Sequence, residues 1–294
     1  MNTQRRTWIR QSVGAGVGLT ANAACFAQIS VAAAPVGFRI GLTAVILADQ
    51  AAFLSRWADY LSQRMGQPVS FAVRESYQSI LDMLYARQLD AAWICGYPYV
   101  RDHARLKLIA VPLYQGAPTY QSYLIRHRQG AERIQGWADL KHRVLAYSDP
   151  LSNSGWLVPQ VQLRAARVPP QDLRRSFFAH SHRNVAEAVA TRLADAGCID
   201  GYVWDTMRLQ KMAAVDSTEV IWKSEAYGFP PLATRAGEPT AATARLADVL
   251  LAMRTDNGAQ ALLNALNLDG FIAASPAMFD SIKKLLPGVV PAAR

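Results

Sequence analysis

After Pro35, short runs rich in β-branched and aromatic residues alternate with longer stretches whose apolar residues recur every three or four positions. "FRIGLTAV" predicts a strand, and "ILADQAAFLSRWADYLSQRMG" a helix stopped at Gly66. "PVSFAVR" predicts the next strand, "SYQSILDMLYARQL" a helix opened by Ser76, and "DAAWIC" a buried strand ending at Gly96. "LKLIAVPLY" and "YQSYLIRH" are further strands. "GWADLKHRVLAYSDP" begins a second unit with its own strand, followed by a helix from about Ser154. There "RRSFFAHSH" predicts a strand, "NVAEAVATRLADAG" a helix capped at Gly197, and "CIDGYVWD" a strand ending at Asp205; "MRLQKMAAV" and "TEVIWKS" complete the unit. From "YGFPPLATRAG" a last strand leads into helices through "LADVLLAMRT", "GAQALLNAL" and "PAMFDSIKKLL".

Strands alternating with helices predict an α/β protein whose sheets are mainly parallel and flanked by helices. At 294 residues, two domains fit better than one. The second unit is inserted, giving a lobe of residues 35–126 plus 227–294 and a second lobe of 127–226. Two crossing segments then act as a hinge, with a cleft between the lobes.

Ahead of this pattern lies a stretch of different character. "QRRTWIR" is a basic segment with an arginine pair, followed by "SVGAGVGLTANAACFAQISVAAAP", which is weakly apolar and ends in small residues before Pro35. Residues 1–34 are read as a cleaved, twin-arginine-like export signal; a general secretory signal fits as well. The location expected is the periplasm. Cleavage removes Arg5, Arg6 and Arg10 and no acid, lowering the formal charge from +9 to +6. The arginines are scattered rather than clustered, so nucleic acid is not an expected partner. A mildly positive surface suits anions.

In open α/β sheets, ligands bind beyond the carboxyl ends of the strands. "VLAYS-DPLSNSG" places Ser152, Asn153 and Ser154 there, at a helix start whose free N–H groups favour an anion. One of the three would suffice as a cap. Across the cleft, "DAAWICGYPYV" brings Trp93, Cys95, Tyr97 and Tyr99 to a loop edge, where an aromatic is as often plain core. Tyr77 opens a helix after a strand, while His182 and Asp205 are expected at strand ends facing the same cleft. Ser154, His182 and Asp205 have the residue types of a hydrolase triad, but no G-x-S-x-G elbow accompanies them. A P-loop, a G-x-G-x-x-G after the first strand, an H-E-x-x-H and zinc-type cysteine spacing are all missing, so neither metal nor cofactor is expected. Cys95 and Cys198 fall at opposite ends of their strands, which makes a disulfide between them improbable on geometry.

"SYQSILDMLYARQLDAAWICGYPYV", "DPLSNSGWLVP", "FFAHSHRNVAEAVATRLADAGCIDGYVWD" and "YGFPPLATRAGEP", in that order, give a chain that resembles the periplasmic solute-binding proteins of the phosphate, phosphite and phosphonate uptake family. The resemblance implies a type II periplasmic-binding-protein fold and a monomer without enzymatic activity. It further implies that a small oxyanion is captured for the permease of an ABC transporter, with Tyr77, Ser152, Asn153, Ser154 and His182 at ligand-contacting positions. Asp205 is a looser match. Two departures stand out: Cys95 occupies a position where glycine is usual, and Asn153 replaces a commoner threonine or serine. Some relatives report instead to a periplasmic sensor-kinase domain, including arsenite-sensing ones that use a cysteine, and a thiolate suits trivalent arsenic.

Overall fold

A computed structural model describes residues 37–43, 50–129, 134–237 and 240–288. The expected export signal lies outside them. Among the described residues the chain forms strands β1 (Phe38–Thr43), β2 (Val69–Arg74), β3 (Ala91–Trp93), β4 (Leu106–Leu113), β5 (Thr119–His127) and β6 (Val144–Tyr147). Strands β7 (Arg175–Phe178), β8 (Ala196–Asp200), β9 (Thr218–Gly228), β10 (Leu232–Arg235) and β11 (Gly270–Ala273) follow. The helices that bear on the site are α1 (Gln50–Met65), α2 (Tyr77–Tyr85), α3 (Gly96–Arg101), α4 (Val158–Ala165), α5 (His182–Ala190) and α6 (Gly201–Leu209). None of the described helices is long and apolar enough to cross a membrane.

The strands build two sheets, in the orders β11-β4-β10-β3-β1-β2 and β7-β6-β8-β5-β9. Both are mixed rather than mainly parallel. In the first, β1 runs parallel to β2 and β3, whereas β10 and β11 are antiparallel to their neighbours. In the second, β6 runs parallel to β7 and β8, and β5 is antiparallel to β8 and β9. The parallel half of each sheet is the part made by strand–helix–strand crossovers. The antiparallel half comes from the chain passing between the sheets and back.

Those passages are close together. The chain leaves the first sheet after β4 and enters the second at Thr119, then returns after Gly228. The two crossing segments are tied by Phe229 N–H donating to the Pro118 carbonyl at 2.9 Å. Rings of Tyr114 and Phe229 lie against each other beside that bond, with centroids 6.1 Å apart.

Local sequence explains the helix starts. Ser76 accepts the N–H of Ser79 at 3.1 Å and opens α2, whose Ile80, Leu81 and Leu84 face the core. Ser181 caps α5 in the same way through Asn184 N–H, at 3.0 Å. Gly197, expected to end that helix, instead lies inside β8, and the helix stops at Ala190. A Cβ on Gly197 would sit 2.5 Å from Cγ1 of Val185, so the glycine lets α5 approach the sheet closely. Beneath the first sheet, Trp57 of α1 packs on Phe71 at 4.8 Å, and Trp93 packs edge-on to Phe271. Full burial of a side chain such as Phe271 contributes about 1.5–3 kcal/mol.

Candidate functional site

The carboxyl ends of β1, β2 and β3 meet those of β6, β7 and β8. The Tyr77 N–H at the start of α2 donates to Asp149 Oδ2 at 3.3 Å, and Asn153 N–H donates to Cys95 Sγ at 3.1 Å. Tyr97, on α3, stacks on Trp156 with centroids 6.1 Å apart and planes inclined by 18°. Tyr77, Cys95 and Tyr97 belong to the first sheet's connections, whereas Asp149, Asn153 and Trp156 belong to the second's.

The segment Ser148 to Gly155 forms the centre of this junction. Asp149 Oδ1 accepts Leu151 N–H at 2.7 Å, and Ser152 Oγ accepts Gly155 N–H at 2.9 Å. Residues Asn153–Leu157 make one wide turn, with Leu157 N–H reaching the Ser152 carbonyl at 3.0 Å, before α4 begins. Wide turns of this kind concentrate at functional sites. The Ser154 carbonyl accepts from Ser122 Oγ at 2.7 Å, and Asn153 Nδ2 donates to the Tyr120 hydroxyl at 3.0 Å. Gly155 is required here, because a Cβ would lie 1.8 Å from Ser148 Oγ.

Three side-chain atoms of this segment have no hydrogen-bond partner although they are buried: Ser148 Oγ, Asn153 Oδ1 and Ser154 Oγ. Among the described residues only two other buried side-chain atoms share that state, both tryptophan Nε1 groups. A buried unpaired polar group costs about 1–3 kcal/mol, so three in eight residues single this segment out.

Around the segment the titratable groups are held neutral or lack a cation. His182 is buried at the first position of α5, and its Nδ1 accepts Asp200 N–H at 3.1 Å. That bond puts the ring proton on Nε2, which is then a donor. Burial pushes the His182 pKa down to about 3, so the ring stays uncharged. Asp200 ends β8 and caps α6 by accepting Tyr202 N–H at 2.8 Å. Burial raises its carboxyl to about 8, opposed by the Val203 and Tyr202 amides. Burial also raises Asp149. It keeps the phenols of Tyr77 and Tyr120 protonated, Tyr77 sharing a hydrogen bond with Thr43. The Cys95 thiol is pushed up to about 11, chiefly by burial, against the pull of the Asn153 and Tyr97 amides.

Two narrow spaces open onto these groups. One is bounded by Thr43, Tyr77, Ser148, Asp149 and His182, the other by Thr43, Tyr77, Trp93, Tyr202 and Phe229. Among the described residues, neither lining contains a lysine or arginine. A larger groove of about 760 Å³, lined by residues including Leu106, Lys107, Phe279 and Lys283, holds none of the candidate residues.

Of the residues singled out by sequence, the structure thus brings together Tyr77, Cys95, Tyr97, Ser152, Asn153, Ser154 and His182. Trp93 sits in the first sheet, with Nε1 donating to the Pro230 carbonyl at 2.8 Å; it is mainly core and reaches one cavity wall. Asp205 is not at a strand end. The strand stops at Asp200, and Asp205 lies on α6, accepting from the hydroxyls of Tyr114 and Tyr123 at 3.1 Å each. The sequence reading missed Asp200 because Tyr202, Val203 and Trp204 continue a strand-like pattern. The available signal was an aspartate followed by free amides at a helix start. Asp149, Tyr120 and Ser148 were missed as well.

Nor do the triad residues form a relay. His182 Nδ1 is engaged by the Asp200 amide, Asp205 serves two tyrosines, and Ser154 Oγ has no hydrogen-bond partner. Cys95 and Cys198 are free and buried. Among the described residues, no group of histidine, cysteine and carboxylate side chains is arranged to hold a metal ion.

Known proteins share this fold. The phosphate-import protein PhnD of Mycolicibacterium smegmatis is 27% identical over 178 residues, which is 56% of this chain and 55% of that one. The match therefore spans about half the length of that curated relative. A binding protein component of an ABC phosphonate transporter from Pseudomonas aeruginosa superposes with a TM-score of 0.76 at 22% identity, over 85% of each chain. PhnD1 from Prochlorococcus marinus, solved in complex with methylphosphonate, superposes at 0.74 with 18% identity, over 86% of this chain and 98% of that one. Both establish the two-lobed α/β fold of type II periplasmic binding proteins. Residues 42–279 match the family model described as "ABC transporter, phosphonate, periplasmic substrate-binding protein", and the chain belongs to that family.

Proposed function

We propose that the protein is exported to the periplasm and captures one small oxyanion of the phosphate, phosphite and phosphonate class between its lobes, for delivery to an ABC permease. The observation that carries this reading is the cluster of unpartnered polar atoms at Ser148, Asn153 and Ser154, flanked by protonated donors on Tyr77 and His182. Several direct hydrogen bonds are what a desolvated anion needs in place of water. The sheets support lobes divided before Thr119 and after Gly228, a shift from the division at 126 and 227 expected from sequence. The two spaces at the junction measure about 10 and 20 Å³, room for about one water each. An oxyanion therefore enters with the lobes parted, and closure is favoured because only the closed form lets both lobes contact it.

A second reading has the Cys95 thiol in its favour. A periplasmic sensor would bind arsenite through Cys95 and signal to a histidine kinase. With a pKa of about 11 the thiol is protonated at neutral pH, so arsenic would have to displace that proton. Thermal denaturation in the presence of phosphate, phosphite, methylphosphonate, sulfate and arsenite tests both readings. A ligand that binds the native state raises the melting temperature with concentration. No shift with any of the five sinks both.

A further inference from the structure

We infer that the site admits only oxyanions that still carry a proton, and that the Asn153 carbonyl is the group that reads it. This rests on the oxyanion reading above and narrows it. Asn153 is fully buried, and its Nδ2 is committed to the Tyr120 hydroxyl at 3.0 Å. Tyr120 in turn is hydrogen-bonded to Cys95. Oδ1 is left without a partner. The hydroxyls of Ser148 and Ser154 can rotate to donate or to accept, but an amide oxygen only accepts. Facing a fully deprotonated anion it stays unpaired and adds repulsion; facing a P–OH group it gains a hydrogen bond.

The lack of a lysine or arginine among the described residues of the cavity walls acts in the same sense. The junction's ionisable side chains include Asp149, Asp200, Glu75, His180 and His182, alongside Cys95 and the phenols of Tyr77, Tyr97, Tyr120 and Tyr202, with Asp205 behind Asp200. Asp200 and Asp149 are buried, and neither is in an ion pair with Lys or Arg among the described residues. The linings supply no lysine or arginine to balance a second negative charge on the ligand. A ligand O–H pairs with the Asn153 acceptor, whereas a bare oxyanion leaves that acceptor unpaired and is held only by the hydroxyl and imidazole donors.

Methylphosphonate and methanesulfonate separate shape and charge from protonation. At about pH 6 both are tetrahedral monoanions with one methyl group, but only methylphosphonate carries an O–H. Calorimetric titration of the full chain with each is expected to show methylphosphonate binding at least about 100-fold tighter. In Asn153→Thr, whose hydroxyl can also donate, that ratio should fall by about tenfold or more while methylphosphonate binding persists. Equal binding of the two ligands by the wild type overturns the inference and leaves the oxyanion reading intact, as does a ratio unchanged in the variant. Binding of neither ligand overturns both. Should Asn153→Thr fail to fold, the wild-type pair decides alone.

Discussion

Replacing Gly155 by alanine puts a methyl group where the wide turn of Asn153–Leu157 leaves no room. The new Cβ would lie 1.8 Å from Ser148 Oγ, 2.7 Å from Ser148 Cβ and 3.1 Å from Ser152 Oγ. Rotation of Ser148 relieves the first contact but not the second, which is fixed by the backbone after β6. The turn must therefore move. Overpacking of this kind costs about 1–3 kcal/mol, which for a domain of this size lowers the melting temperature by about 2–12 °C. Displacing the turn also moves Ser154 and the Asn153 amide that bonds Cys95, so oxyanion affinity should fall together with stability. Circular dichroism melts of Gly155→Ala, Ser148→Ala and the double variant form a cycle. Part of the loss should be recovered in the double variant, because removing Oγ removes one of the two close contacts. A Gly155→Ala protein that melts within about 1 °C of wild type, with unchanged affinity, would refute the assigned role of this segment.

Three further outcomes are expected. The Asp200 carboxyl, raised from 3.8 to about 8 by burial, binds a proton in the native state that the unfolded chain has released. Its contribution to stability is full below about pH 4 and is lost as pH rises through about 8. Urea titrations should thus show the stability of wild type relative to Asp200→Asn declining over that range. The variant is the necessary reference, since buried neutral His182 acts in the opposite sense and loses stability as pH falls below its unfolded value of about 6.5. Asp205→Ala removes the acceptor shared by the hydroxyls of Tyr114 and Tyr123, leaving Tyr114 only the Gln115 amide, and should cost about 1–3 kcal/mol in urea denaturation, with oxyanion affinity within about threefold of wild type. A large loss of affinity would return Asp205 to the site. Cys95→Ser should preserve binding of phosphorus oxyanions, and calorimetry with arsenite should find any arsenite binding abolished. Arsenite binding that survives the change removes the basis of the sensor reading.

Much of the site was legible because its chemistry is local. "DPLSNSG" shows small donors directly after a strand, and Ser76 and Ser181 are caps that announce the helices carrying Tyr77 and His182. What escaped depends on long-range pairing. Nothing in the alternation of β4, β5, β9, β10 or β11 says which neighbour each will take, so the antiparallel halves of both sheets were invisible. Asp200 escaped for a different reason. On both sides of Asp200 and Gly201, "CIDGYVW" is apolar and β-favouring, and the chain turns into α6 where Asp200 accepts the first free amides. Cys95 becomes a neighbour of Asn153 only when the two sheets meet, and Tyr120 only when β5 takes its place in the second sheet.

The central claim is that Ser148–Gly155 holds an oxyanion between the lobes, and Ser154 tests it most directly, since its buried Oγ has no partner within the protein. Calorimetric titration of phosphate and methylphosphonate into wild type and Ser154→Ala should show binding of at least one anion by the wild type, weakened about tenfold or more in the variant at an unchanged fold. Equal affinity in both proteins, or no binding in either, would contradict the account.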